Sequence, residues 1–117
     1  MLSSASVCGT QLLHPDLSTV LRLLLLAPLL EEWVVRAGLQ EWLMRRHPGA
    51  DALALLAPAA VFSLLHLGAG PASAAGVFLP GLALGFLYLR RRDWRLCALV
   101  HALFNTFALT ACGLTTL

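Results

Sequence analysis

At 117 residues the chain has room for one domain. A hydrophobic fraction of 59% against 12% charged residues weighs against a water-soluble domain, whose surface needs about twice that charge. The net charge of +2 comes from arginines gathered at two connectors, with no basic stripe interleaved with aromatics, so a nucleic-acid partner is not expected.

Residues 1–16 carry no Lys or Arg and read as an extramembrane N-terminal segment. The first apolar block, Leu17 to Met44, follows. Its leucine-rich stretch at 23–30, with Arg22 ahead of it, has the look of a secretory signal core. Glu31 and Glu32 follow in place of a small-residue cleavage site, so the block is expected to be retained. Three further blocks are Ala52 to Leu67, Ala74 to Leu89 and Leu96 to Leu117. A membrane-crossing helix takes about 20 mostly apolar residues, and tilt or local thinning accommodates the shorter blocks. The expected fold is all-α, a polytopic membrane protein built as a bundle of about four transmembrane helices in a single domain over 1–117.

Short connectors set the expected topology. Arg45, Arg46 and His47 lie between the first two blocks, and Arg90, Arg91, Arg92 and Arg95 between the last two. The connector Gly68 to Ser73 carries no charge. If every block spans, both arginine-rich connectors share one side, which the positive-inside rule makes cytoplasmic. Trp42 and Trp94 sit beside them as interfacial aromatics should. The expected location is a bacterial inner (plasma) membrane, with the lipid bilayer as first partner.

Ionisable groups inside a bilayer cost at least ~2.5–3.5 kcal/mol each on insertion scales, which makes them functional suspects. The blocks contain Glu31, Glu32, Arg36, His66 and His101, together with the polar Asn105. The third block carries none; its Gly81 and Gly85 form a G-x-x-x-G, read as simple helix packing on a filler helix. In the fourth block Cys97, His101, Asn105, Ala108 and Cys112 share one helical stripe, and Leu96, Leu99, Leu103, Phe107 and Leu114 gather opposite. That stripe should face protein, where His101 and Asn105 serve either chemistry or interhelical hydrogen bonding. Phe62 and His66 are four apart near the end of the second block, with Ser63 beside them, a placement that also suits an interfacial histidine. Glu32 and Arg36 are four apart in the favourable acid-before-base order and make a structural ion pair. Glu31 points about 100° away, has no partner on its own helix, and so suits a general base.

Together these residues read Glu31-Glu32-x-x-x-Arg36, then Phe62-x-x-x-His66, then His101-x-x-x-Asn105, each on its own block. The pattern resembles the CPBP family, which includes the CAAX prenyl endopeptidases and the bacteriocin-processing or self-immunity proteins. The resemblance covers residues 27 to 108. It departs where Val35-Arg36-Ala37 stands in place of the family's frequent Phe-Arg-Gly, and in the family's extra helices ahead of the paired glutamates. It implies an intramembrane endopeptidase with Glu31 as general base, His66 positioning the water, and His101 with Asn105 stabilising the oxyanion. Glu32, Arg36 and Phe62 would support them. No cofactor is expected. A zinc ion held by Glu31, His66 and His101 is the alternative, since two histidines and a carboxylate form a known zinc set.

Counting along the helices, Glu31 and His66 lie roughly 20 Å from the arginine connectors and His101 about 13 Å. Cys8, Cys97 and Cys112 form no C-x-x-C and read as inert, with Cys97, four residues before His101, a minor candidate nucleophile. The expected partner is a protein or peptide substrate at the membrane: a CAAX tail, a bacteriocin leader or a sorting signal. An oligomer is compatible with so small a core. Two other functions fit parts of the pattern. One is a small four-helix proton-coupled transporter using Glu31, to which both histidines are surplus; the other is a non-hydrolytic immunity or assembly protein of the same fold.

Overall fold

The computed structural model describes residues 16–115. Cys8 and the side chain of Cys112 lie outside the described residues, as does most of the expected N-terminal segment. Helix α1 runs over 17–46. Asp16 starts it, its carboxylate accepting the Thr19 N–H at 2.7 Å, the usual remedy for the free N–H groups of a first turn. That bond, with a further one from the Thr19 side chain, holds Asp16 below the ordinary carboxylate range.

Within α1 the α-helix twice widens into π-helix, at Arg22–Leu26 and Trp33–Gln40. The first has a cause in the sequence. Pro28 has no N–H and its ring crowds the preceding turn, and the Ala27 N–H bonds five residues back, to the Arg22 carbonyl. The second follows directly on Glu31 and Glu32, and such wide turns recur at functional sites.

A turn through Gly49 (φ +83°) leads to α2, Asp51–Leu65. The chain then makes one 3₁₀ turn at Leu67–Ala69 and passes Gly70, whose φ of +110° favours glycine. Helix α3, Pro71–Arg91, starts earlier than the block at Ala74, so the uncharged connector is shorter than expected. Proline at the first helical position explains the early start, since its missing N–H is unneeded there. A turn at Val77 divides α3 into Pro71–Gly76 and Phe78–Arg91, where Pro80 has no N–H to offer the Gly76 carbonyl. Arg92 (φ +51°) reverses the chain. Asp93 then accepts the Arg95 N–H at 3.0 Å and opens α4, Trp94–Thr115.

The four helices close a ring: α1 on α2, α2 on α3, α3 on α4, and α4 back on the first half of α1. Among the described residues there is no strand. Among the described residues, α3 alone qualifies as a span by length and composition. The bundle is nonetheless 48 Å long, against the ~30 Å of a bilayer's hydrocarbon core. Its distribution of polarity is that of a membrane bundle. Glu32, Arg36, Gln40 and His101 are buried, while Leu25, Leu29, Trp33, Leu64, Leu79, Leu103 and Phe107 face outward. An apolar cluster of Leu84, Tyr88 and Cys97 closes the core toward the arginine-rich end. There Arg46 lies over Trp42 and Arg95 over Trp94.

Candidate active site

On α1, Glu32, Arg36 and Gln40 recur every fourth residue and make one buried ladder. Arg36 donates from Nε to Glu32 Oε1 at 2.9 Å, from Nη1 to Gln40 Oε1 at 3.1 Å, and from Nη2 to the Gly81 carbonyl at 3.0 Å. Gln40 in turn donates to the Gly85 carbonyl at 2.9 Å. Buried guanidinium and carboxylate groups need such full pairing to offset desolvation. Helix α3 is therefore no filler. Its G-x-x-x-G brings backbone within reach of Arg36 and Gln40, and an added Cβ at Gly85 would stand 3.5 Å from Arg36 Nη1. The packing reading omitted these acceptors because carbonyl oxygens have no letter in a sequence.

The Glu32 carboxylate turns its other oxygen to α4. Oε2 faces His101 Nδ1 at 3.3 Å, and neither atom has a hydrogen-bond partner, so a small ring rotation would complete the bond. His101 presents Nε2 to Glu31 Oε2 at 3.6 Å. One imidazole thus stands between two neighbouring glutamates. Their environments differ: the Glu32 side chain is 0% exposed and that of Glu31 29%. Glu32 is locked from behind by Arg36, whereas Glu31 is open on one side.

Phe62 on α2 is buried and separates two histidines, with ring centroids 4.7 Å from His66 and 5.4 Å from His101. His66 ends α2, and its Nδ1 lies 2.8 Å from the Phe62 carbonyl. A carbonyl only accepts, so Nδ1 carries a proton, and in the neutral ring Nε2 is the acceptor. Both histidines lie near Glu31.

Asn105 is one turn beyond His101 on α4. Its Nδ2 donates to the Leu23 carbonyl at 2.7 Å, joining α4 to the first π-helical turn of α1. That carbonyl lacks a helical donor, because the Ala27 N–H is taken by Arg22 and residue 28 is proline. One N–H of the Asn105 amide remains.

The unequal depths expected for Glu31 and His101 are not seen: the two side chains face each other at 3.6 Å. At the arginine-rich end Arg92, just ahead of α4, donates to Glu41 Oε2 at 2.6 Å, in the last turns of α1. The same bond holds the Arg92 guanidinium above its ordinary range.

A family model for type II CAAX prenyl endopeptidases, Rce1-like, matches residues 13–107, a stretch that contains all of these side chains. The chain belongs to the Rce1-like family. This is a family of membrane-embedded endopeptidases. No curated protein and no solved structure matches the chain.

In this Rce1-like chain Glu31, Glu32, Arg36, Phe62, His66 and His101 come together, and Asn105 stands beside them, bonded to α1. Among the described residues no group of three or more His, Cys, Asp or Glu side chains is gathered as a metal site. Cys97 is buried and directs its thiol to the Leu84 carbonyl at 3.5 Å. Gln40 was missed as a site residue. Its signal was present, since it continues the every-fourth-residue stripe of Glu32 and Arg36, but an uncharged amide draws less notice than an ion.

Proposed function

We propose that this Rce1-like protein hydrolyses a peptide bond in a membrane-presented protein tail or leader, with Glu31 activating the water. The observation that carries the reading is the position of His101 between an open glutamate and a locked one. Glu31 takes a proton from water, and the oxygen adds to the scissile carbonyl. The resulting oxyanion accepts hydrogen bonds from His101 and the remaining Asn105 N–H. When the tetrahedral adduct collapses, the C–N bond breaks and Glu31 returns its proton to the leaving amine. His66 accepts a hydrogen bond from the water at its unprotonated Nε2.

The packing supports these roles: His101 stands between both glutamates in a buried, low-dielectric site, with Arg36 paired to Glu32. Preorganised donors in such a site are worth more than in water. An open apolar groove between α1 and α4, lined by Leu29, Leu30, Trp33 and Trp94, adjoins Glu31 along the chain. It suits the lateral approach of an apolar substrate segment. We infer further that the arginine-rich end is cytoplasmic and that the reaction needs no metal.

The test is cleavage of a prenylated peptide ending in C-a-a-X, and of membrane-protein tails and leaders, by membranes containing the chain. Wild type should cleave in the presence of chelator, and Glu31→Gln and His101→Ala should not. Activity abolished by chelator and restored by zinc would overturn the metal-free mechanism. An inserted wild type without any proteolysis would favour the transporter or the immunity protein.

A further inference from the structure

The buried ladder of α1 ends in Gln40, a residue with no place in the water-activating step. Gln40 is 0% exposed, and burying an amide costs free energy that a leucine or methionine of similar size would avoid. Its contacts explain the choice. Arg36 Nη1 can only donate and the Gly85 carbonyl can only accept. Gln40 meets both at once, with Oε1 toward the guanidinium at 3.1 Å and Nε2 toward the carbonyl at 2.9 Å. A carboxylate would satisfy the first contact and repel the second, and an apolar side chain would satisfy neither. Gly85 makes room for the arrangement, since a Cβ there would meet Leu55, Arg36 and Gln40 at 3.3–3.6 Å.

We propose that Gln40 is a positioning residue: by anchoring Arg36 to α3 it fixes Glu32, and through Glu32 the ring of His101. The chain of contacts is continuous, from the Gly85 carbonyl through Gln40, Arg36 and Glu32 to His101 Nδ1, with Nε2 of the same ring toward Glu31. Arg36 is held from three directions, by Glu32, Gln40 and Gly81. Removing Gln40 frees one edge of the guanidinium to turn. Glu32 then loses its fixed angle, and its 3.3 Å approach to His101, where neither atom has another hydrogen-bond partner, opens. The activity consequence rests on the proposed hydrolysis; the ordering of the His101 ring does not.

The experiment is ¹⁵N NMR of histidine-labelled full-length chain in micelles, with the His101 signals assigned through His101→Gln, beside kinetics on a farnesylated C-a-a-X peptide. In Gln40→Met the His101 ring resonances should shift and broaden, while those of His47, in an exposed turn, stay fixed. The kcat should fall about tenfold or more at unchanged KM, the scale on which supporting partners of site residues act. Should Gln40→Met fail to fold, Gln40→Glu keeps the size and the acceptor for Arg36 but loses the donor to Gly85, and the same shift is expected. Unchanged His101 resonances in a folded variant, with only thermal stability lowered, would overturn the proposal. A wild type that cleaves nothing, with the His101 shift still present, would overturn hydrolysis and retain the relay.

Discussion

Arg36 and Glu32 form an ion pair at 2.9 Å in which both side chains are fully buried. Removing one member of such a pair strands the other without a counterion, at a cost of about 3–5 kcal/mol. Glu32→Gln and Arg36→Met should each lower stability on that scale, measured by denaturant unfolding in detergent. The double variant should cost less than the sum. Additive losses would show that the pair is not coupled.

The two adjacent glutamates should respond oppositely to the same substitution. Glu31 has an open side and no guanidinium partner, so Glu31→Gln should leave the melting temperature within a few degrees of wild type. Peptide cleavage should fall at least ~10²-fold, the lower range for loss of a general base. Melting temperature and cleavage rate, taken for both variants, separate the two roles.

Asn105 and Pro28 should be coupled through a carbonyl that neither contains. Asn105→Ala leaves the Leu23 oxygen without its donor, at about 1–3 kcal/mol. Pro28→Ala supplies a backbone N–H that can reach that oxygen. Asn105→Ala should therefore cost less in the Pro28→Ala background than in wild type, a difference read from a double-mutant cycle.

That coupling marks the limit of what the amino-acid sequence conveyed. Side chains with strong chemistry were legible: Glu31, Glu32, Arg36, His66 and His101 stood out as ionisable groups in apolar blocks, and helical spacing put His101 on an inward stripe. Backbone acceptors were not legible, so the roles of Gly81 and Gly85 were read as packing alone. Nor was the contact between Glu41, in the last turns of α1, and Arg92, just ahead of α4, since the two are 51 residues apart. Pro28 and Pro80 did signal their irregularities, but the consequence of a missing N–H depends on which neighbour takes its place.

Phe62 should matter to chemistry more than its apolar character suggests. It touches both histidine rings, so truncation to alanine opens a cavity costing about 3–5 kcal/mol. Phe62→Leu keeps most of the volume and loses the flat spacer. It should fold and show a lowered kcat with little change in KM, measured by steady-state peptide cleavage.

The first turn of α1 should loosen in acid. The folded form of Asp16 titrates below its ordinary value of 3.8, because the ionised carboxylate accepts bonds from Thr19. A depressed carboxylate stabilises the fold above its unfolded pKa and loses that contribution as pH falls through the folded value. Protection of the Thr19 amide, extrapolated to a common intrinsic exchange rate, should be constant above about pH 4 and should fall below it. Asp16→Ala should abolish the dependence.

The most direct measurement is cleavage of a farnesylated C-a-a-X peptide by the purified chain in chelator-treated proteoliposomes, with wild type beside Glu31→Gln and the products identified by mass spectrometry. The account expects a defined cleavage product from wild type and none above background from Glu31→Gln. Equal cleavage by both would contradict the assignment of Glu31 as the group that activates water.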